Sequence, residues 1–208
     1  MAEASPYEFA APLLVAVDVR NPLAYLALAP TCALADDLDL EIDWVPFEHS
    51  PFGPPPEPAD DRGLRHRRFR ALYRERDVER YARVQGLVIQ NLYRATDPSL
   101  TGAGLLAAKA HSSSAVRAYL TRVFERHWNE SLDVEDANAL EALLHECGVA
   151  DPALSARRGE YAGLQERLRA TGLFTTPAYV VEGEVFYGRA HLPMIRWILE
   201  GRRGVAPI

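Results

Sequence analysis

Two short segments of this chain combine residue types that can do chemistry. One is Asp18–Val19–Arg20–Asn21–Pro22, and the other is Gly172–Pro177 (GLFTTP). In the first, Asn is a favoured N-cap and Pro is favoured at the first helical position, so Asn21 should open a helix. A helix N-terminus directs free N–H groups outward and carries partial positive charge, a setting that favours a thiolate or another anion. A carboxamide can donate a hydrogen bond to such a group but cannot ionise. It suits binding and polarising, not nucleophilic attack.

The other reactive residue types are scattered. Cys32 and Cys147 form no C-x-x-C pair, and each reads as a core cysteine in or at the end of a helix. His127 closes a predicted helix and could carry a proton near neutrality or be an ordinary satisfied histidine. His145–Glu146 lacks the second His of a zinc helix, and no His, Cys, Asp or Glu group has metal-ligand spacing. No metal is expected.

The elements that must position these segments follow from pattern. Leu13–Val19 is a short β-branched run and predicts a buried strand. Leu23–Leu38 predicts a helix that Pro30 should kink or shorten. Leu40–Phe47 alternates like a second strand, so the chain opens β-α-β, which implies parallel strands. His49–Asp61 carries five prolines and is a loop. Helices are then expected over Arg65–Val84, Leu100–His111, Ala115–Trp128, Val134–Cys147 and Gly159–Thr171, with a break at Gly86–Pro98. Ala115–Trp128 has the i, i+3, i+4 apolar stripe of a packed helix. Strands return at Ala178–Val181 and Val185–Tyr187 around the turn at Glu182–Glu184, and a helix from about His191 to Leu199 closes the chain.

Composition narrows the function class. The chain has 208 residues, 48% of them apolar, enough for a substantial core. Its net charge of −6 argues against a nucleic-acid binder. The basic run Arg62–Arg70 sits beside carboxylates and reads as a solvated helix face. No apolar stretch reaches the length of a membrane span, and Met1–Phe9 lacks the basic and apolar regions of a signal peptide. The expectation is a cytoplasmic protein with a small-molecule substrate, no nucleic-acid or membrane partner, and a homodimer left open.

Three blocks carry a family likeness. Residues 18–27 (DVRNPLAYLA) align with the pattern D-x-x-S-P-Y-x-Y-L-A, residues 80–87 (RYARVQGL) with R-Y-A-R-x-x-G-L, and residues 172–188 (GLFTTPAYVVEGEVFYG) with G-x-F-G-V-P-x-F-V-V-x-G-E-x-F-W-G. In this order the chain resembles the 2-hydroxychromene-2-carboxylate isomerases and kappa-class glutathione transferases of the DsbA-like branch of the thioredoxin superfamily. The resemblance implies an α/β thioredoxin-like fold, β-α-β … β-β-α, from residues 1–61 and 172–208, with 62–171 as a large all-helical insertion. It implies a glutathione-dependent isomerase or transferase, using glutathione or another low-molecular-weight thiol. Pro177 would be cis, the Thr176 backbone would pair with the cysteinyl part of glutathione, and Asn21 would face the sulfur. Thr176, Pro177 and Arg189 would bind the thiol.

The chain departs from the family at three places. Asn21 stands where the family has Ser, Ala190 stands where a carboxylate would hold the γ-glutamyl end, and the proline loop has no lysine. A non-catalytic binding protein on the same scaffold is the alternative. A disulfide oxidoreductase lacks its nucleophile.

Overall fold

The computed structural model describes residues 11–207. The signal-peptide reading of Met1–Phe9 lies outside them. Strand β1 (Leu13–Val17) is followed by helix α1 (Pro22–Leu38) and strand β2 (Ile42–Pro46). Five helices come next: α2 (Arg62–Gln85), α3 (Ser99–His111), α4 (Ser113–Trp128), α5 (Ala137–Glu146) and α6 (Leu154–Ala170). Strands β3 (Ala178–Val181) and β4 (Glu184–Tyr187), a 3₁₀ turn and helix α7 (Leu192–Leu199) complete the chain.

The sheet order is β2-β1-β3-β4, with β1 parallel to β2 and antiparallel to β3. This is the thioredoxin-like arrangement, with the five helices between β2 and β3. Glu182 and Gly183 both have positive φ, 49° and 81°, as a two-residue hairpin turn with the native strand twist requires.

Strand alternation divides the core. Leu13, Val15 and Val17 share one cluster with Tyr25, Tyr119, Phe124, Leu140 and Ile195. Leu14 and Ala16 face the other side, with Val45, Phe47, Leu168 and Val180. Every residue of β1 is buried, which explains why it reads as an unbroken apolar run.

The proline inside α1 and the starts of two later helices depart from expectation. Pro30 leaves α1 unbroken over 17 residues. Proline removes the N–H that would have bonded to the Leu26 carbonyl, and the Gln85 side chain donates to that carbonyl instead, at 3.1 Å. Helix α5 starts at Ala137, capped by Asp136, not at Val134. Helix α6 starts at Leu154, five residues before Gly159. There tertiary contact overrides glycine's low helix propensity, because Leu154 and Tyr161 are both buried. Tyr161 packs where α3 carries Gly102, and a Cβ on Gly102 would meet its ring at 2.2 Å.

Candidate functional site

The turn between β1 and α1 is held by an ion pair. Asp18 accepts from the Arg20 guanidinium at 3.1 Å and 2.7 Å and from the Arg20 backbone N–H at 2.9 Å. The side chains are 2% and 9% exposed. Arg20 also donates to the Thr96 and His49 carbonyls, so it ties the turn to the α2–α3 connection and to the loop after β2. Burial opposes the charged form of Arg20, and the carboxylate beside it outweighs that, raising its pKa.

Asn21 caps α1 through its side-chain oxygen, which accepts from the Leu23 N–H at 3.0 Å. Its amide nitrogen donates to the Thr176 carbonyl and lies 3.0 Å from both the Thr176 hydroxyl and the His49 Nε2. The Thr176–Pro177 bond is cis. Asn21 is 3% exposed, and both ends of its carboxamide are engaged. The structure thus brings Asn21 and Thr176 into direct contact. Pro177 lies in the same wall, its carbonyl accepting from Gly188 N–H at 2.9 Å.

Arg189 is directed elsewhere. Its guanidinium lies 3.8 Å from the centre of the Tyr81 ring and 3.5 Å from Asp77, so its partners are on α2.

His49 is the residue that sequence reasoning missed. Burial and the nearby Arg20 depress its pKa, against the opposing pull of Asp18. The neutral imidazole can accept the Asn21 N–H at Nε2. The only signal in the sequence was its place directly after the second strand. His127 is 3% exposed and its pKa is pushed down to about 4, by burial first and by Arg94 next. That places it below the range of a proton carrier at neutral pH. Cys32 lies within α1, where burial raises its pKa. Among the described residues no group of three or more His, Cys, Asp or Glu could hold a metal, and no helix is long and apolar enough to cross a membrane.

Beside the turn is an open groove of about 440 Å³, bounded by Arg20, His49, Pro51, Arg169 and Phe174. Glu48 and Arg169 form an ion pair across it at 3.2 Å. Phe174 rests on Tyr187, ring centres 4.1 Å apart, and leaves much of its ring exposed. The groove therefore offers one aromatic face, two guanidinium groups and an imidazole next to the α1 N-terminus.

A family model described as DSBA-like thioredoxin domain matches residues 14–200. No curated protein matches the chain. Among solved structures, the chain is similar to a 2-hydroxychromene-2-carboxylate isomerase, at 18% identity and TM-score 0.66, over 91% of this chain and 94% of that one. It is similar to a probable DsbA oxidoreductase from Streptomyces coelicolor, at 17% identity and TM-score 0.65, over 95% and 93%. It also resembles the cytosolic disulfide reductase DsbM from Pseudomonas aeruginosa with GSH, at 21% identity and TM-score 0.52, over 91% and 98%. At these identities the likenesses show the fold.

Proposed function

The chain belongs to the DSBA-like thioredoxin domain family, and from that premise we propose that it is a thiol-dependent isomerase with no redox chemistry of its own. The reading is of a glutathione-dependent enzyme resembling 2-hydroxychromene-2-carboxylate isomerase, with a small aromatic or unsaturated substrate. One observation carries it. The first residue of the α1 N-terminus, where a redox relative would place its thiolate, is Asn21, which cannot ionise and is bonded to Thr176.

The residues present fit a small anionic thiol. The α1 N-terminus favours a thiolate, and the groove is within the size range of small-ligand sites. A bound thiol would supply reversible addition to an unsaturated carbon, which permits bond rotation without net oxidation. The protein's own contribution is to hold the turn rigid through Asp18–Arg20, keep His49 neutral beside Asn21, and present Phe174 to an aromatic substrate.

The second reading is a non-catalytic binding protein, or a kappa-like transferase if a thiol binds without isomerisation. The fully engaged carboxamide of Asn21 favours the non-catalytic form, because its two N–H donors already face Thr176 and His49. Calorimetric titration with glutathione separates the readings. The enzyme reading expects binding at millimolar glutathione that changes in Asn21→Ser, a variant that keeps the cap and gives up only the bonds to Thr176 and His49. Absence of binding to glutathione and to other small thiols leaves the scaffold reading. Insulin reduction above background that disappears in Cys32→Ala overturns the non-redox assignment.

A further inference from the structure

Helix α2 runs for 24 residues, yet only Ala71, Val78 and Ala82 are buried, packed with Leu26 of α1. Its outer side follows a 4-3-4-3 spacing through positions 62, 66, 69, 73, 76, 80 and 83, the spacing of a seam between two helices. A solvated face needs no large apolar groups. This seam holds Phe69 at 66% exposure and Tyr73 at 62%, with Val84 at 79% beside its end. Every other seam position is arginine or histidine.

The carboxylates near this run in sequence do not neutralise the seam in space. Asp61 caps the helix, accepting from the Leu64 N–H at 2.7 Å. Asp77 is turned to one side, where it meets Arg189 as well as Arg80. Glu75 and Glu79 stand roughly 80° or more around the helix from Phe69, at about 100° per residue. Among the described residues Arg80 is the one seam arginine with a carboxylate partner. The basic run is therefore unbalanced where it faces outward, against the sequence expectation of a solvated face.

We infer that this seam docks an acidic amphipathic helix of another protein, which lies along α2 with its carboxylates against the arginines and its apolar side chains against Phe69 and Tyr73. Charge complementarity selects this occupant. A second copy would bring arginine against arginine. An extended polyanion, such as a nucleic acid or an anionic bilayer, would attract α2 but repel the rest of the chain. α2 has nine arginines and three carboxylates in a protein of net charge −6, so the remaining residues are strongly acidic. A partner helix of about three heptads covers the seam and little beyond it, and meets the attraction without the repulsion. Arginine suits that partner, because its planar fork takes a carboxylate in two hydrogen bonds. Phe69 and Tyr73, one turn apart, supply the aromatic anchors that bare attraction lacks.

The probe is a fluorescein-labelled synthetic helix of about three heptads, with leucine where it faces Phe69 and Tyr73 and glutamate at its other contact positions. Fluorescence anisotropy with the full chain should show saturable binding, weakened at least about tenfold as salt rises from ~50 to ~500 mM. Arg76→Glu combined with Arg83→Glu should weaken it at least about tenfold, and so should Phe69→Ala combined with Tyr73→Ala. All four side chains are exposed, so thermal melting should be unchanged. A peptide of the same composition with its leucines scrambled should bind at least about tenfold more weakly, which separates docking from bare attraction. Absence of binding at about 100 µM of the designed peptide overturns the proposal. So does equal binding of the scrambled peptide, or indifference to the aromatic variant. Tighter binding of a DNA duplex or of phosphatidylglycerol vesicles overturns it too, since the seam would then be a general polyanion surface.

Discussion

The turn around Asn21 and the seam between α3 and α6 are both closed to solvent, by opposite means. The turn is closed by polar groups that satisfy one another: Asp18 with Arg20, and Asn21 with Leu23, Thr176 and His49. The seam is closed by shape, with Gly102 admitting the ring of Tyr161, just as Gly104 on the same helix admits Tyr119 of α4. A polar closure fails when one partner is removed and a charge is stranded. A steric closure fails when one methyl group is added. The difference shows that the β1–α1 turn is held by directional bonds, whereas the α3–α6 seam is held by packing.

The sharpest way to break this contrast is at Arg20. Arg20→Ala leaves the Asp18 carboxylate buried without its partner, and removing one member of a buried pair is expected to destabilise by about 3–5 kcal/mol. Chemical denaturation measures it. A loss near that of an exposed ion pair, below about 1 kcal/mol, would show that water reaches Asp18.

At the seam, Gly102→Ala should destabilise by about 1–3 kcal/mol from overpacking. Alanine is otherwise the better helix former by about 1 kcal/mol. A variant more stable than wild type would mean that the Tyr161 ring moves aside freely. Gly163→Ala is the control. It lies in α6, its added Cβ would meet nothing closer than 3.7 Å, and it should be neutral or stabilising.

Asn21→Ala should come next at about 1–2 kcal/mol, through loss of the cap and of the bonds to Thr176. Asn21→Ser should recover the capping part. Equal melting temperatures for the two variants would show that the cap contributes nothing.

Lowering pH tests the polar side of the contrast alone. His49 and His127 have folded pKa values below the ordinary 6.5, that of His127 at about 4, because burial disfavours the imidazolium. The unfolded chain therefore binds more protons between about pH 6.5 and 4. The stability from the neutral imidazoles is fully present above the unfolded value and is lost as pH falls through that window. His127→Gln should flatten the slope in urea titrations at pH 7 and pH 5. An unchanged slope would show that His127 is protonated in the folded state. The smallest effect is expected from Tyr161→Phe. The hydroxyl finds no hydrogen-bond partner among the described residues, so its loss should change stability by less than about 0.5 kcal/mol.

Local chemistry made part of this molecule legible in the sequence. The β-branched run of β1 and the Asn21–Pro22 cap are local signals, and the helix begins at Pro22 as they require. The parallel β-α-β opening followed from the alternation of apolar runs, and the antiparallel final hairpin from the turn at Glu182–Glu184. What stayed hidden depends on contact between distant residues. The early start of α6 rests on Gly102, 52 positions before Leu154 in the chain. The role of His49 rests on a side chain in another element. Arg189 is a basic residue directly after the third family block, yet Tyr81 and Asp77 hold it on α2, and nothing in residues 172–188 signals that preference.

The proline inside α1 has a consequence for inheritance. Pro30 leaves the Leu26 carbonyl without its usual donor, and Gln85 supplies one from another helix. The two positions, 55 residues apart, form one unit of descent. A lineage that replaces Pro30 by alanine restores the helix's own rung and releases Gln85 to drift. A lineage that loses Gln85 first leaves a carbonyl stranded, and selection then falls on Pro30. Among related chains the amide at 85 should therefore persist wherever the proline at 30 does, and become variable where it has gone.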